Sequence, residues 1–125
     1  MVKKKILVVD DEPYIVRMLE TRLRSNGYDV VAAMDGMEAL DLARTEKPDL
    51  IILDIMLPKM DGYKVCAMLK FDMKHTNIPI VMLSARAHEA DIKMGHDLGV
   101  EAYIVKPFDS KELMEIVDEL VNRRN

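Results

Sequence analysis

The chain has 125 residues and a net charge of −4, and 50% of its residues are hydrophobic while 32% are charged. These values are typical of one ordinary globular domain, so we treat residues 1–125 as a single unit that binds neither nucleic acid nor membranes directly. The single cysteine excludes an internal disulfide, and the apolar run at residues 6–9 is too short for a signal peptide or a membrane span, which indicates the cytoplasm.

Short apolar runs alternate with amphipathic stretches five times along the chain. Most of these runs are continuous apolar blocks rich in β-branched residues, which is typical of strands covered on both faces of a parallel sheet. Five strand-then-helix units with right-handed crossovers predict a doubly wound α/β fold with a five-stranded parallel sheet. The predicted strands are residues 6–9, 30–33, 50–53, 80–83 and 102–105.

The stretches between the strands have helical spacing and helix-end signals. Pro13 fits a first helical turn, Gly27 fits a helix stop, and Asp109 resembles a capping residue. The first helix should bury one face, formed by Ile15, Met18, Leu19 and Leu23.

The fourth predicted helix, roughly residues 88–98, has a thin apolar face and contains Gly95. Glycine inside a helix costs about 1 kcal/mol relative to alanine. Two interpretations follow: Gly95 permits close packing, or this helix is easy to move.

Polar residues follow four of the five predicted strands. Asp10 and Asp11 follow the first strand, Asp54 the third, Ser84 the fourth and Lys106 the fifth. In a doubly wound sheet, ligands bind at the carboxyl ends of the strands. Local turn and capping roles would explain any one of these residues. Three carboxylates and a lysine at one edge together indicate a functional site.

The chemistry of this cluster suits phosphoryl transfer. Neighbouring carboxylates repel one another, so Lys106 and a hard divalent cation such as Mg²⁺ are expected to compensate their charge. Asp54 is the candidate nucleophile, and Asp11 and Asp54 would hold Mg²⁺ with Asp10 supporting through water. Lys106 and the Ser84 hydroxyl would bind phosphoryl oxygens.

Four segments of the chain, in order, resemble the receiver domain of two-component response regulators. They are ILVVDDE at 6–12, LDIMLPKMDG at 53–62, LSAR at 83–86 and YIVKPF at 103–108. The resemblance covers nearly the whole chain. It implies the (βα)5 flavodoxin-like fold of chemotaxis regulators, with strand order 2-1-3-4-5.

The resemblance also implies a role for individual residues. Asp54 is expected to accept a phosphoryl group from the phosphohistidine of a sensor histidine kinase. Ser84 is expected to be a switch hydroxyl, Tyr103 the aromatic side chain that rotates inward with it, and the Lys106–Pro107 bond is expected to be cis. The implied Mg²⁺ ligands are Asp10, Asp11, Asp54 and the backbone carbonyl of Met56.

The expected function is a phosphorylation-activated switch rather than an enzyme with an external substrate. It would undergo only Mg²⁺-dependent self-phosphorylation from a donor and slow self-dephosphorylation. A downstream protein or output domain would bind the face formed by the fourth helix, the fifth strand and the fifth helix. The DNA-binding subfamily dimerises there through paired acids, whereas this chain has Glu101 and Ala102. We therefore expect a monomer or a weak phosphorylation-dependent dimer, from a stand-alone regulator or a receiver of another architecture.

Met56 and Arg86 stand two residues after the acceptor and the switch serine, respectively. Both would flank the path of the water that attacks the acyl phosphate. Their bulk is expected to slow self-dephosphorylation.

Three alternative functions use the same or a related α/β fold. An aspartate-nucleophile phosphatase needs a second aspartate two positions after the first, where this chain has Met56 after Asp54. A flavodoxin-type electron carrier needs a phosphate loop after the first strand, where the acids Asp10 and Asp11 would repel a flavin phosphate. A binding module with a degenerate site is disfavoured by the intact acids and Lys106.

Overall fold

The structure is a computed structural model and describes residues 3–72 and 77–123. Strands and helices alternate throughout, and every predicted strand is confirmed to within one residue at its ends. In chain order the elements are β1 (Lys5–Val9), α1 (Pro13–Ser25), β2 (Asp29–Ala33), α2 (Gly36–Glu46), β3 (Leu50–Leu53), α3 (Gly62–Phe71), β4 (Ile80–Ser84), α4 (Glu89–Asp97), β5 (Ala102–Val105) and α5 (Ser110–Arg123).

All five strands form one parallel sheet in the order β2-β1-β3-β4-β5, which confirms the predicted fold and strand order. The register of the two central strands pairs Val9 with Leu53. Asp10 and Asp54, the residues that follow this pair, therefore leave the sheet side by side. The strand register alone brings two of the predicted carboxylates together.

The core has two layers, one on each face of the sheet. Ile6 and Val8 pack with α1 and α5, whereas Leu7 and Val9 pack with α2 and α3. This alternation explains the continuous apolar run of β1, because both of its faces are covered. Full burial of one such side chain contributes roughly 1.5–3 kcal/mol. Within residues 3–72 and 77–123, the helices are all too short or too polar to cross a membrane.

The helix-end signals are confirmed. Pro13 occupies the first turn of α1, and Gly27 has a φ of 93°, the left-handed conformation that ends a helix. Asp109 Oδ1 accepts hydrogen bonds from the backbone N–H groups of Lys111 and Glu112 at 2.8 and 3.3 Å. These contacts satisfy donors at the start of α5.

One predicted core position of α1 is wrong. Met18 is 41% exposed, whereas Val16 is buried. The buried face of α1 is centred between Ile15 and Val16, so Met18 falls beyond its edge. The helical spacing from Ile15 to Met18 did not show whether the buried face extends from Ile15 towards Val16 or towards Met18.

Candidate functional site

The two central carboxylates lie at the carboxyl ends of β1 and β3 and are almost fully buried. Asp10 is 2% exposed and Asp54 is 5% exposed. The backbone N–H of Asp54 donates to the carbonyl of Val9 at 3.0 Å, and the N–H of Asp10 donates to that of Ala33 at 3.2 Å. The hydrogen bonding of the sheet thus extends one residue past each strand and fixes the backbone positions of Asp10 and Asp54.

Lys106 reaches these carboxylates from the end of β5. Its Nζ lies 2.7 Å from Asp10 Oδ2, 3.1 Å from Asp54 Oδ2 and 3.3 Å from Glu12 Oε1. Its backbone N–H donates to the carbonyl of Ser84 at 2.8 Å, and the predicted cis bond to Pro107 is present. The predicted convergence of strand ends on one edge is therefore observed, with the ammonium group between the acids.

The cluster contains more negative than positive charge. Burial raises the pKa of Asp10 above its usual value, and the hydrogen bond from Lys106 offsets this only in part. Burial alone would lower the pKa of Lys106, but its hydrogen bonds and charge interactions with Asp10 and Asp54 outweigh burial and raise it. Lys106 is therefore held as a cation, while ionised Asp10 is disfavoured. A further cation would relieve the remaining repulsion.

Carboxylate oxygens of Asp10, Glu12 and Asp54 lie within 4.8 Å of one another. Hard oxygen donors at this spacing fit Mg²⁺, which binds proteins through few carboxylates and retains water. The third acid is Glu12, whereas the predicted ligand Asp11 is exposed and lies outside this group. The structure thus brings together Asp10 and Asp54 from the predicted metal site.

Glu12 enters this cluster through the turn that follows β1. The chain bends at Asp11, and Asp10 Oδ1 accepts a hydrogen bond from the Glu12 backbone N–H at 2.9 Å. Glu12 therefore lies beside Asp10, whereas Asp11 is exposed. Sequence analysis did not single out Glu12, because no pattern in the sequence shows which acid this turn brings to the cluster.

The loop after β3 folds tightly against the candidate acceptor. The backbone N–H of Met56 donates to Asp54 Oδ1 at 3.3 Å. Gly62 lies so close that an added Cβ would be 2.2 Å from the Asp54 carbonyl oxygen and 2.7 Å from Ile55 Cα. Only a residue without a side chain fits here, so Gly62 helps to hold the backbone of Asp54 in place.

We expect Gly62→Ala to lower the free energy of unfolding by about 1–3 kcal/mol, the usual cost of overpacking, because both close contacts are backbone atoms. Urea unfolding measures this change. Lys64→Ala, at an exposed position of the same helix, is the control and should change stability by less than about 0.5 kcal/mol. Equal midpoints for Gly62→Ala and the parent would contradict the close contact.

The predicted switch residues lie next to each other. Ser84 is fully buried, and its Oγ accepts from the Arg86 backbone N–H at 3.3 Å. The Tyr103 hydroxyl donates to the Arg86 carbonyl at 2.8 Å, and its ring packs with the core layer on the α2 and α3 side. Tyr103 thus lies inward in this structure. Its rotation stays a prediction.

A second tyrosine connects α3 to α4, and sequence analysis missed it. The Tyr63 hydroxyl lies 3.0 Å from Asp91 Oδ1, and Arg86 Nη1 lies 3.5 Å from the same oxygen. Burial and the hydrogen bond to Asp91 raise the pKa of Tyr63, so it stays protonated and donates. No local pattern marks this pair, because the contact depends on how α3 and α4 pack.

A cavity of about 410 Å³ opens beside the acceptor loop. Met56 is 55% exposed there, and Arg86 lines the same cavity. Both side chains thus line one cavity, and their predicted effect on the attacking water stays a prediction. The lining residues are Ile55, Met56, Leu57, Asp61, Tyr63 and Arg86.

Glu101 has a structural role at the opposite end of the sheet. Its Oε1 accepts from the backbone N–H of Ile80 at 2.8 Å, and Lys70 Nζ lies 3.1 Å from its Oε2. The carboxylate thus connects the start of β4 to α3. This explains an acid before β5 without reference to a dimer face.

Comparison with known proteins agrees with this geometry. The family model described as "Response regulator receiver domain" matches residues 6–118. Probable transcriptional regulator ycf27 of Cyanophora paradoxa is 52% identical over 121 residues, which are 97% of this chain and 49% of that protein. The alkaline phosphatase synthesis transcriptional regulatory protein PhoP of Bacillus subtilis (strain 168) is 49% identical over 120 residues, covering 96% of this chain and 49% of that protein.

Solved structures show the same fold. The Francisella response regulator 1452 receiver domain matches with a TM-score of 0.91 at 34% identity, covering 98% of this chain and 100% of that one. The chain spans about half the length of the curated relatives described above. Its relatives are signalling regulators rather than enzymes with an external substrate. On sequence, fold and site geometry together, the chain belongs to the response regulator receiver domain family.

Proposed function

We propose that this chain is a phosphorylation-activated switch in which Asp54 accepts a phosphoryl group from the phosphohistidine of a sensor histidine kinase. The proposal depends on one observation: Lys106 Nζ lies between buried Asp54 and Asp10, at 3.1 and 2.7 Å. Structural acids are seldom buried in surplus over their cations. A surplus of buried carboxylates over cations suits a site that has to bind both a divalent cation and a phosphoryl group.

In the proposed reaction, a carboxylate oxygen of Asp54 bonds to phosphorus while the N–P bond to the donor histidine breaks. The electron pair returns to the imidazole, which takes up a proton. Lys106 can form an ion pair with the transferred phosphoryl group, because its Nζ already contacts Asp54 Oδ2. The Ser84 hydroxyl, next to the site, is proposed to bind a second phosphoryl oxygen. Such transfer needs positioning and charge stabilisation more than covalent chemistry.

The proposed Mg²⁺ ligands are Asp10, Asp11, Asp54 and the carbonyl of Met56. A carboxylate oxygen of Glu12 also lies within 4.8 Å of those of Asp10 and Asp54. Mg²⁺ bound there supplies positive charge to the phosphoryl oxygens. Asp11 is exposed, and an exposed side chain changes rotamer at low cost. Glu12 also contacts Lys106, so it can remain an ion-pair partner of the Lys106 ammonium group when Asp54 is phosphorylated.

The proposed output surface is formed by α4, β5 and α5. Gly95 is the only buried residue of α4, so this helix is held by little side-chain burial and can move when the Ser84–Tyr103 pair changes. The two curated relatives named above are transcriptional regulators of about twice this length. We therefore propose a downstream protein or output domain as the partner of this surface. A weak phosphorylation-dependent dimer and the cytoplasmic location stay predictions.

Intact-mass measurement tests the proposed function. The protein is incubated with a small-molecule phosphodonor such as acetyl phosphate, in the presence of Mg²⁺ or of a chelator. The expected result is a mass gain of one phosphoryl group with Mg²⁺ and little or none with the chelator. No gain under either condition, or equal gains in both, would contradict the proposal.

The lifetime of the phosphorylated state gives a second test. Met56 and Arg86 line the cavity beside the loop that follows Asp54 and should hinder the attacking water. A Met56→Asn, Arg86→Ala double variant should therefore lose its phosphoryl group several-fold faster than the parent, as measured by the decay of the phosphorylated mass after donor removal. Lys93→Ala, at an exposed position on α4, is the control. A double variant that decays no faster than the parent would refute this role.

A further inference from the structure

Gly95 lies in the middle of α4 and faces the ring of Tyr103 on β5. A Cβ atom added to Gly95 would be 3.0 Å from Tyr103 Cδ2, 3.5 Å from Tyr103 Cε2 and 3.4 Å from Val100 Cγ2. Carbon atoms in ordinary contact lie about 3.5–4.0 Å apart. A methyl group at this position would lie closer to the ring than ordinary contact allows, so the ring would have to shift by a few tenths of an ångström.

The ring of Tyr103 is also held on its other sides. Its hydroxyl donates to the Arg86 carbonyl at 2.8 Å, and its backbone is paired with Met82 in the sheet. The ring packs with the buried layer on the α2 and α3 side. These contacts oppose the shift of the ring away from α4 that a methyl group on Gly95 would require. Outward rotation of the ring would break its hydrogen bond to Arg86.

We propose that Gly95 is a positioning residue for Tyr103. Because it has no side chain, it leaves room for the inward conformation of the Tyr103 ring, and it thereby sets how readily the Ser84–Tyr103 pair responds to phosphorylation. This inference rests on the proposed function of that pair. Glycine is a poor residue for a helix interior, where alanine is better. The close approach of the Tyr103 ring gives a physical reason for glycine at this position of α4.

A double-mutant cycle on the unphosphorylated protein tests the contact. Gly95→Ala should lower the urea midpoint when Tyr103 is present. The same change should raise the midpoint in a Tyr103→Ala background, because the ring is gone and the better helix former remains. Met94→Ala, at the exposed neighbouring position, should give the same shift in both backgrounds. Equal shifts for Gly95→Ala in the two backgrounds would overturn the proposal.

The position of the ring gives the second readout. The chain has four tyrosines, so ring-labelled tyrosine gives few NMR signals, and Tyr103→Phe assigns the one of interest. Gly95→Ala should move the Tyr103 ring signals before any phosphodonor is added. It should also reduce the change that acetyl phosphate and Mg²⁺ produce in the parent.

Unchanged Tyr103 ring signals in Gly95→Ala would overturn the positioning role. So would an identical response of variant and parent to phosphorylation. If the parent takes up no phosphoryl group, the proposed function fails instead, and the urea cycle still decides whether Gly95 and Tyr103 are coupled.

Discussion

Replacing Asp54 by asparagine should abolish the mass gain that acetyl phosphate and Mg²⁺ produce in the parent. Asparagine keeps the size of the side chain but removes the nucleophilic carboxylate, so no acyl phosphate can form there. The fold should survive, because Lys106 keeps its contacts with Asp10 and Glu12 at 2.7 and 3.3 Å. Intact mass measures the loss, and circular dichroism checks that the variant is folded.

Asp61→Asn is the matched control for this loss. Asp61 caps α3 and accepts from the Lys64 backbone N–H at 3.0 Å, and asparagine caps helices as well as aspartate. Asp61 also lines the cavity beside the acceptor loop. The control variant should therefore gain one phosphoryl group like the parent. A folded Asp54→Asn variant that gains as much as Asp61→Asn would show that another residue is the acceptor.

Replacing Lys106 by methionine should lower the free energy of unfolding at neutral pH by about 3 kcal/mol or more, because it leaves buried carboxylates without their cation. Lys106 is only 11% exposed, and its partners Asp10 and Asp54 are 2% and 6% exposed as side chains. Urea unfolding measures the change. Added Mg²⁺ should restore more stability to this variant than to the parent, since a bound cation replaces the lost charge.

The pH dependence of this deficit follows from the pKa of Asp10. Burial already raises that pKa above its usual value of 3.8, and loss of Lys106 should raise it further. A carboxyl group with a raised pKa destabilises the folded protein when ionised, and this cost disappears as pH falls through the folded pKa. The difference between Lys106→Met and the parent should therefore be largest at neutral pH and shrink towards pH 4.

Asp10→Asn gives the opposite expectation. Three acids share one lysine, so Lys106 keeps two partners when Asp10 is neutralised, and the ionised form disfavoured by burial is gone. Stability should stay the same or rise. If Lys106→Met and Asp10→Asn destabilise the protein equally, the charge surplus inferred for this cluster is wrong.

Much of the fold could be predicted from the sequence for a physical reason. Strands covered on both faces, such as β1 and β3, need unbroken apolar runs, so their limits stand out in the chain. Because the sheet is parallel, the residues after those runs meet at one edge. Asp10, Asp54, Ser84 and Lys106 were therefore predictable neighbours, without any knowledge of side-chain conformation.

Other features depend on information that local patterns do not contain. Glu12 replaces Asp11 in the acid cluster because the chain bends at Asp11, where Asp10 Oδ1 accepts a hydrogen bond from the Glu12 backbone N–H. The Tyr63–Asp91 contact joins residues 28 positions apart, and only the packing of α3 against α4 brings them together. The close approach of Gly95 to Tyr103 supports the interpretation that this glycine permits close packing, and it depends on how α4 lies against β5.

The most direct test of the central claim is to locate the phosphoryl group. Borohydride reduces an aspartyl phosphate to homoserine, which peptide mass spectrometry then assigns to one position. After treatment with acetyl phosphate and Mg²⁺, the account predicts homoserine at position 54 and at no other aspartate. Homoserine at position 10, 11 or 61, or an unreduced chain that carries its phosphate on histidine, would contradict it.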